Sequence, residues 1–140
     1  MKIQYQINKE MSLLIQKYSG NWNITLFEKY VNGIINNSDW KYVKQNFADL
    51  RNLVFSNPED VDFNKLLEIR DRLNSDQLIV IMVDKPIETA VSILYSEKLR
   101  TAGYNCLFCS TMKYAIELLK IDINEMEMEN IIMNLNNVIE

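Results

Sequence analysis

The sequence contains no histidine, an absence that removes more mechanisms than any other feature of its composition. Histidine is the commonest general base near neutral pH and the commonest transition-metal ligand. The acids between residues 122 and 129 also lack the glycine-centred loop that wraps calcium. We therefore expect no catalytic residues, no metal and no cofactor.

Cysteine is almost as scarce, since Cys106 and Cys109 are the only two. They are too few for a disulfide framework and typical of a reducing compartment. Their CxxC spacing is that of a redox pair, but a redox pair normally opens a helix and this one lies in a predicted strand. Residues three apart on a strand point to opposite faces, which predicts two buried structural thiols.

Long hydrophobic runs and an excess of positive charge are also missing. No apolar run approaches the roughly 20 residues that cross a bilayer, and the first ten residues alternate where a signal peptide would be continuously apolar. A net charge of −4 gives no electrostatic attraction to nucleic acid or anionic lipid. We expect a cytoplasmic protein with neither nucleic acid nor membrane as a partner.

What the chain does contain is an alternation of strand and helix patterns. Predicted strands cover residues 3–7, 13–18, 45–50, 78–83 and 106–108. Helical spacing follows the second, third, fourth and fifth of them, and on the helix after Pro86 it directs Ile87, Val91, Leu94 and Tyr95 inward. The order β-β-α-β-α-β-α-β-α-α predicts one α/β domain of residues 1–140 with an open, mostly parallel sheet of about five strands. An N-terminal hairpin opens this domain, and an additional helix at 124–139 ends it.

The element order and four local features resemble the STAS domains, the sulfate-transporter and anti-sigma-factor-antagonist group, and the wider set of SpoIIAA-like proteins. These features are the opening hairpin, FADLR at 47–51, IVIMVDKP at 79–86 and STMKYAIELL at 110–119. The resemblance covers residues 1 to about 120. It implies a SpoIIAA-like fold that serves protein contacts or small-ligand binding.

In bacterial members of that family, the resemblance also implies a serine or threonine just after the third strand that partner kinases phosphorylate. Here the segment after Asp49 reads LRNLVFSNPED, without the DSSG-like motif of the family. Ser56 is its only hydroxyl and lies several residues from the family position. Whether Ser56 is phosphorylated stays open at this point.

Polar residues follow the predicted parallel strands, and the carboxyl edge of such a sheet is where α/β proteins usually bind ligands. Two helix N-termini and two cations at this edge predict a site for a small anion. The candidate ligand residues are Asp49, Arg51, Asp84, Lys85, Ser110 and Thr111. The alternative is that Asp49 pairs with Arg51, Asp84 begins a turn, and Ser110 or Thr111 caps its helix.

The last predicted helix carries a continuous apolar stripe that something must cover. Either the domain itself packs against this stripe, or a second copy of the chain does so in a symmetric dimer. The candidate interface residues are Met128, Ile132, Leu135 and Ile139.

Two functions from different classes remain open on the sequence. The first is a non-enzymatic module that acts through a protein partner or as a homodimer, as the STAS resemblance implies. The second is a binding protein for a small anionic metabolite at the carboxyl edge of the sheet. An enzyme using Asp49 or Cys109 ranks last because no nucleophile and base pair can be identified.

Overall fold

Strands and helices alternate along the computed structural model, which describes residues 1–73 and 76–140. The strands are β1 (Lys2–Asn8), β2 (Leu13–Asn21), β3 (Gln45–Val54), β4 (Leu78–Met82), β5 (Asn105–Cys109) and β6 (Asn137–Ile139). The α-helices are α1 (Ile24–Ile34), α2 (Phe63–Asp71), α3 (Pro86–Thr101), α4 (Met112–Leu119) and α5 (Glu125–Met133), with 3-10 turns at Trp40–Tyr42 and Pro58–Asp60. The predicted α/β class is confirmed.

The six strands of the described residues form one mixed sheet in the order β5-β4-β3-β2-β1-β6. Strands β2 to β5 pair in parallel, whereas β1 is antiparallel to both β2 and β6. Helices α1, α2 and α3 supply apolar side chains to the core on one face, and α4 and α5 supply them on the other. The sheet therefore has a core on each side.

The C-terminal segment differs from its prediction. The helix predicted for 124–139 ends at Met133, and Asn137–Ile139 instead forms β6, which places Ile139 opposite Ile3 of β1. The prediction of a helix to residue 139 is wrong because Asn134, Asn136 and Asn137 are weak helix formers, while the β-branched pair after them finds an open strand edge. The start was predicted correctly, since the Asn124 side chain accepts a hydrogen bond of 2.8 Å from the Glu127 amide.

The apolar stripe of this segment is covered by the domain itself. Met128, Ile132 and Leu135 are buried in the core between the sheet, α4 and α5. Ile139 is half-buried on β6 and packs against the opposite core, so it does not continue the stripe. Met128, Ile132 and Leu135 are therefore covered by the domain itself, which is the alternative to a dimer interface.

Two of the four α3 residues predicted to face inward do so, since Val91 is buried and Tyr95 packs against the core. Ile87 and Leu94 are each about half exposed. The inward positions are held by Val91 and Leu99 together with three polar residues, namely Glu88, Ser92 and Ser96. The apolar residues of α3 are spread over two overlapping stripes of the helix surface. The stripe that packs against the rest of the domain is the one that also contains the polar residues.

Strand β3 runs four residues beyond its predicted end at Leu50 and changes face on the way. Between the pairs Lys17–Asp49 and Ser19–Asn52, β2 advances by two residues while β3 advances by three. This extra residue is a β-bulge, which reverses the direction of the side chains after it. Leu53 and Phe55 consequently join the core beneath α1 and α2, whereas Asp49 faces α5.

Candidate functional site

The predicted ligand site at the sheet edge begins with an arginine that already has two carboxylate partners. Arg51 donates to Asp49 from Nε (3.0 Å) and Nη2 (2.7 Å), and to Glu129 of α5 from Nη1 (2.8 Å) and Nη2 (2.9 Å). The Asp49 side chain is only 1% exposed. The pairing of Asp49 with Arg51, the alternative to a ligand site, is what the structure shows.

Of the other four candidate residues, two have hydrogen-bond partners within the protein and two are exposed. Lys85 donates from Nζ to the carbonyl oxygen of Leu53 (3.0 Å), and the Thr111 hydroxyl accepts from the Tyr114 amide (3.2 Å) to cap α4. Asp84 and Ser110 are exposed. Four cavities among the described residues are lined by none of the six predicted residues.

A cavity of about 70 Å³ lies instead on the opposite face of the sheet, among β2, β3, β4, α2 and α3. We call it the Arg70 cavity, because Arg70 is the charged residue in its wall. A single water molecule needs about 10–15 Å³ measured in this way, so the space holds several waters or a small organic molecule.

Helical and strand periodicity bring the polar side chains of the Arg70 cavity together. Gln16 and Tyr18 are two residues apart on β2, so their side chains lie on the same face of the strand. Leu66 and Arg70 are four residues apart on α2, so they lie about one helical turn apart on the same face of the helix. Ser92 and Tyr95 come from α3. The bulge in β3 adds Leu53 and Phe55, which line the same cavity.

Gln16 is oriented by two tyrosines. Its Oε1 accepts hydrogen bonds from the hydroxyl groups of Tyr18 (2.7 Å) and Tyr30 (2.9 Å), and all three side chains are buried. With the oxygen used twice, the side-chain amide nitrogen is the group left to interact, and it is a donor. Gln16 therefore offers a fixed hydrogen-bond donor in the wall of the cavity.

Arg70 is buried without a counterion. The residue is 6% exposed, and its Nε and Nη2 atoms have no hydrogen-bond partner among the described residues. Burial raises the pKa of Tyr95 to about 12, and the positive charge of Arg70 opposes this rise. The same opposition acts on Tyr18, whose pKa burial raises well above its ordinary value. The guanidinium thus lies among phenols that remain neutral.

A larger, more polar cleft adjoins the cavity at the carboxyl ends of β2 and β3. Its volume is about 360 Å³, and Trp22 and Phe55 line both spaces. The two rings are 5.6 Å apart between centroids and tilted by 36°. The cleft side carries Asn21, Ser56 and Asp60, and Ser56 donates to Asn21 Oδ1 (3.1 Å). Trp22 and Phe55 therefore form the partition between cleft and cavity.

Sequence reasoning missed this site, although one signal was present. Arg70 occupies an apolar position on α2, four residues after Leu66 and three before Leu73. A cation in the middle of an apolar stripe either extends its head to water or is buried, and its side chain here is buried. Ser92 could not be found in this way, because its inward position depended on the choice between the two faces of α3.

Other kinds of site receive no support from the described residues. Cys106 and Cys109 are both buried and belong to cores on opposite faces of the sheet, as predicted. Residues 1–73 and 76–140 contain no group of three or more histidine, cysteine or acidic residues placed to hold a metal. Over the same residues, no helix combines the length and the apolarity that crossing a membrane requires.

Comparison with known proteins does not assign the chain to a family. No family model matches the sequence, and no curated protein matches it.

Proposed function

We propose that this chain is a non-enzymatic binding protein for a small anion, which Arg70 holds inside the Arg70 cavity. The supporting observation is that Arg70 as a residue is 6% exposed and that two of its guanidinium nitrogens have no partner among the described residues. Burying an unpaired charge costs several kcal/mol unless an opposite charge or hydrogen bonds compensate it. A bound anion would supply both kinds of compensation.

The remaining polar groups of the cavity support an anion over a cation. Gln16 presents its amide nitrogen, and the hydroxyl groups of Ser92 and Tyr95 can donate as well. Of the described residues that line the cavity, none is acidic, and none is a cysteine. Donors and one positive charge favour binding of an anion, and the lack of a base or a reactive nucleophile there favours binding over catalysis.

The test is the thermal stability of the purified protein against acetate, phosphate and sulfate, each titrated at constant ionic strength with sodium chloride. A ligand that binds only the folded state at 100 times its Kd adds about 2.7 kcal/mol to the free energy of unfolding. For 140 residues this corresponds to a rise in Tm of about 8–10 °C. We expect at least one of these anions to raise Tm in a saturable way.

Two variants show whether the effect comes from Arg70. Arg70→Met keeps an unbranched side chain but removes the guanidinium and its charge, and we expect it to abolish the response. Arg100→Met makes the same change in net charge at an exposed position of α3 and should respond as the wild type does. An equal response of wild type and Arg70→Met, or no response to any anion, would contradict the proposed function.

A second candidate function is a protein-interaction module with a SpoIIAA-like fold, as the STAS resemblance implies. The observation that favours it is the exposed pair Ile87 and Leu94, which are seven residues apart and so share one face of α3. Phe108 on the edge strand β5 is also partly exposed. Light scattering on wild type and an Ile87→Glu, Leu94→Glu variant tests self-association. An unchanged mass for a folded variant would remove this face as a dimer contact.

A further inference from the structure

We infer that the anion is a small monocarboxylate with a short apolar body, an inference that rests on the proposed function of the Arg70 cavity. The first reason is charge. Arg70 is the only charged side chain among the described residues that line the cavity. A dianion such as hydrogen phosphate would keep one negative charge without a counterion in a buried site, where an uncompensated charge is costly.

The second reason is the geometry of the two free nitrogens. Nε and Nη2 lie on the same side of a guanidinium, and their N–H groups point in parallel, spaced to match the two oxygens of a carboxylate. The same pair of atoms on Arg51 binds the two oxygens of Asp49, at 3.0 and 2.7 Å. The protein thus already contains this arrangement once, with its own aspartate as the carboxylate.

The third reason is the wall around the guanidinium. Apart from Arg70 and the polar groups of Gln16, Ser92 and Tyr95, the cavity is lined mainly by aliphatic and aromatic side chains, including Tyr18, Leu66 and Val91. Such a wall suits a body of methyl and methylene groups, because each one buried strengthens binding. A polyhydroxylated body would have few hydrogen-bond partners there.

The volume limits the length of that body. A cavity of about 150 Å³ accepts benzene, and the Arg70 cavity is about half that size. Acetate, which has fewer non-hydrogen atoms than benzene, matches this space better than a four-carbon acid, which has as many as benzene. A longer chain would have to pass between Trp22 and Phe55 into the adjoining cleft, which both residues line.

Trp22 provides a direct signal for binding, because it lines the cavity. The chain has one other tryptophan, Trp40, which lies outside the cavity wall. In a Trp40→Phe background, titration with acetate should change the emission of Trp22. We expect acetate to bind more tightly than isobutyrate, because isobutyrate has as many non-hydrogen atoms as benzene and exceeds the space of the cavity. Acetamide has the same shape as acetate without the charge and should not bind.

Variants of Arg70 complete the experiment. Arg70→Lys keeps a positive charge but replaces the two parallel donors by a single ammonium group, so we expect affinity for acetate to fall at least tenfold. Arg70→Met should abolish binding, and Arg100→Met should leave it unchanged. Equal affinity of wild type and Arg70→Lys would overturn the two-donor geometry and with it the carboxylate assignment.

The remaining outcomes separate the two levels of the proposal. If phosphate or sulfate binds through Arg70 and neither carboxylate does, the monocarboxylate inference fails while the proposed anion-binding function stands. If acetate binds equally to wild type and Arg70→Met, the ligand lies elsewhere and both fail. If no anion binds, both fail again, whatever the stability of Arg70→Met.

Discussion

Arg51 of β3 and Glu129 of α5, which lie 78 positions apart in the chain, are joined by two hydrogen bonds of 2.8 and 2.9 Å. The guanidinium of Arg51 also pairs with the buried Asp49. Arg51 therefore neutralises the buried carboxylate of Asp49 on β3 and also links α5 to the sheet. The carboxylates of Asp49 and Glu129 use four of the five N–H donors of Arg51 and compensate its charge, which disfavours Arg51 as a ligand for a diffusing anion.

Removing this arginine should destabilise the fold strongly. In Arg51→Met, Asp49 would remain buried without its cation, and we expect the free energy of unfolding to fall by about 3 kcal/mol. Glu129→Gln removes only the more exposed partner and should cost about 0.5–1 kcal/mol. Urea denaturation followed by circular dichroism measures both values. Equal losses in the two variants would show that Asp49 tolerates the absence of Arg51.

Acid should weaken the Arg51–Glu129 contact in a defined direction. Hydrogen bonds from Arg51 lower the pKa of Glu129 below its ordinary value of 4.5. A carboxyl group whose pKa is lower in the folded state contributes stability above the unfolded pKa, and this contribution is lost as pH falls through the folded pKa. The stability difference between wild type and Glu129→Gln should therefore be constant from pH 7 to about 5 and shrink below about 4.5. A difference that stays constant down to pH 3 would contradict this prediction.

The buried stripe of α5 can be tested with neighbouring residues. Ile132 is 2% exposed and Met133 is 70% exposed. Ile132→Asp would bury a charge in the core and should cost about 4 kcal/mol or unfold the protein, whereas Met133→Asp should cost about 1 kcal/mol or less. Circular dichroism and light scattering on both variants make the comparison. A folded Ile132→Asp variant with a smaller solution mass than the wild type would restore the dimer interface predicted for this stripe.

The two cysteines should be unreactive until the protein opens. Burial raises the pKa of Cys106 and of Cys109 to about 11, so few thiolates are present at pH 8. We expect a disulfide-forming thiol reagent to label neither residue quickly in native buffer and both residues in guanidinium chloride. Fast labelling of one cysteine in native buffer would show that its core opens locally.

The sequence was sufficient for elements whose pattern depends on local periodicity. The strand Leu78–Met82 and the start of the last helix at residue 124 were both predicted close to where they lie, because a buried strand and a helix start each have a local chemical signature. Segment 137–139 was not, since its conformation depends on an open edge of β1 that lies far away in sequence. Local propensity cannot report such an edge.

The candidate site was less predictable for the same reason. Asp49 and Arg51 were recognised as residues that share a face, but the bulge that follows them, and the extension of β3 to Val54, have no clear pattern in the sequence. Arg70 was visible within an apolar stripe. That its guanidinium would meet no carboxylate could be learned only from the placement of α2 against α3.

The pairing of Ile3 with Ile139 has a consequence for synthesis on the ribosome. Ile3 is synthesised before its partner Ile139, which follows 136 positions later in the chain (139 − 3). Until then, the outer edge of β1 offers unpaired amides and carbonyls to any neighbouring chain, which is the usual route to strand-mediated aggregation. The three-residue strand β6 can therefore pair with the edge of β1 only after residues 137–139 have been synthesised.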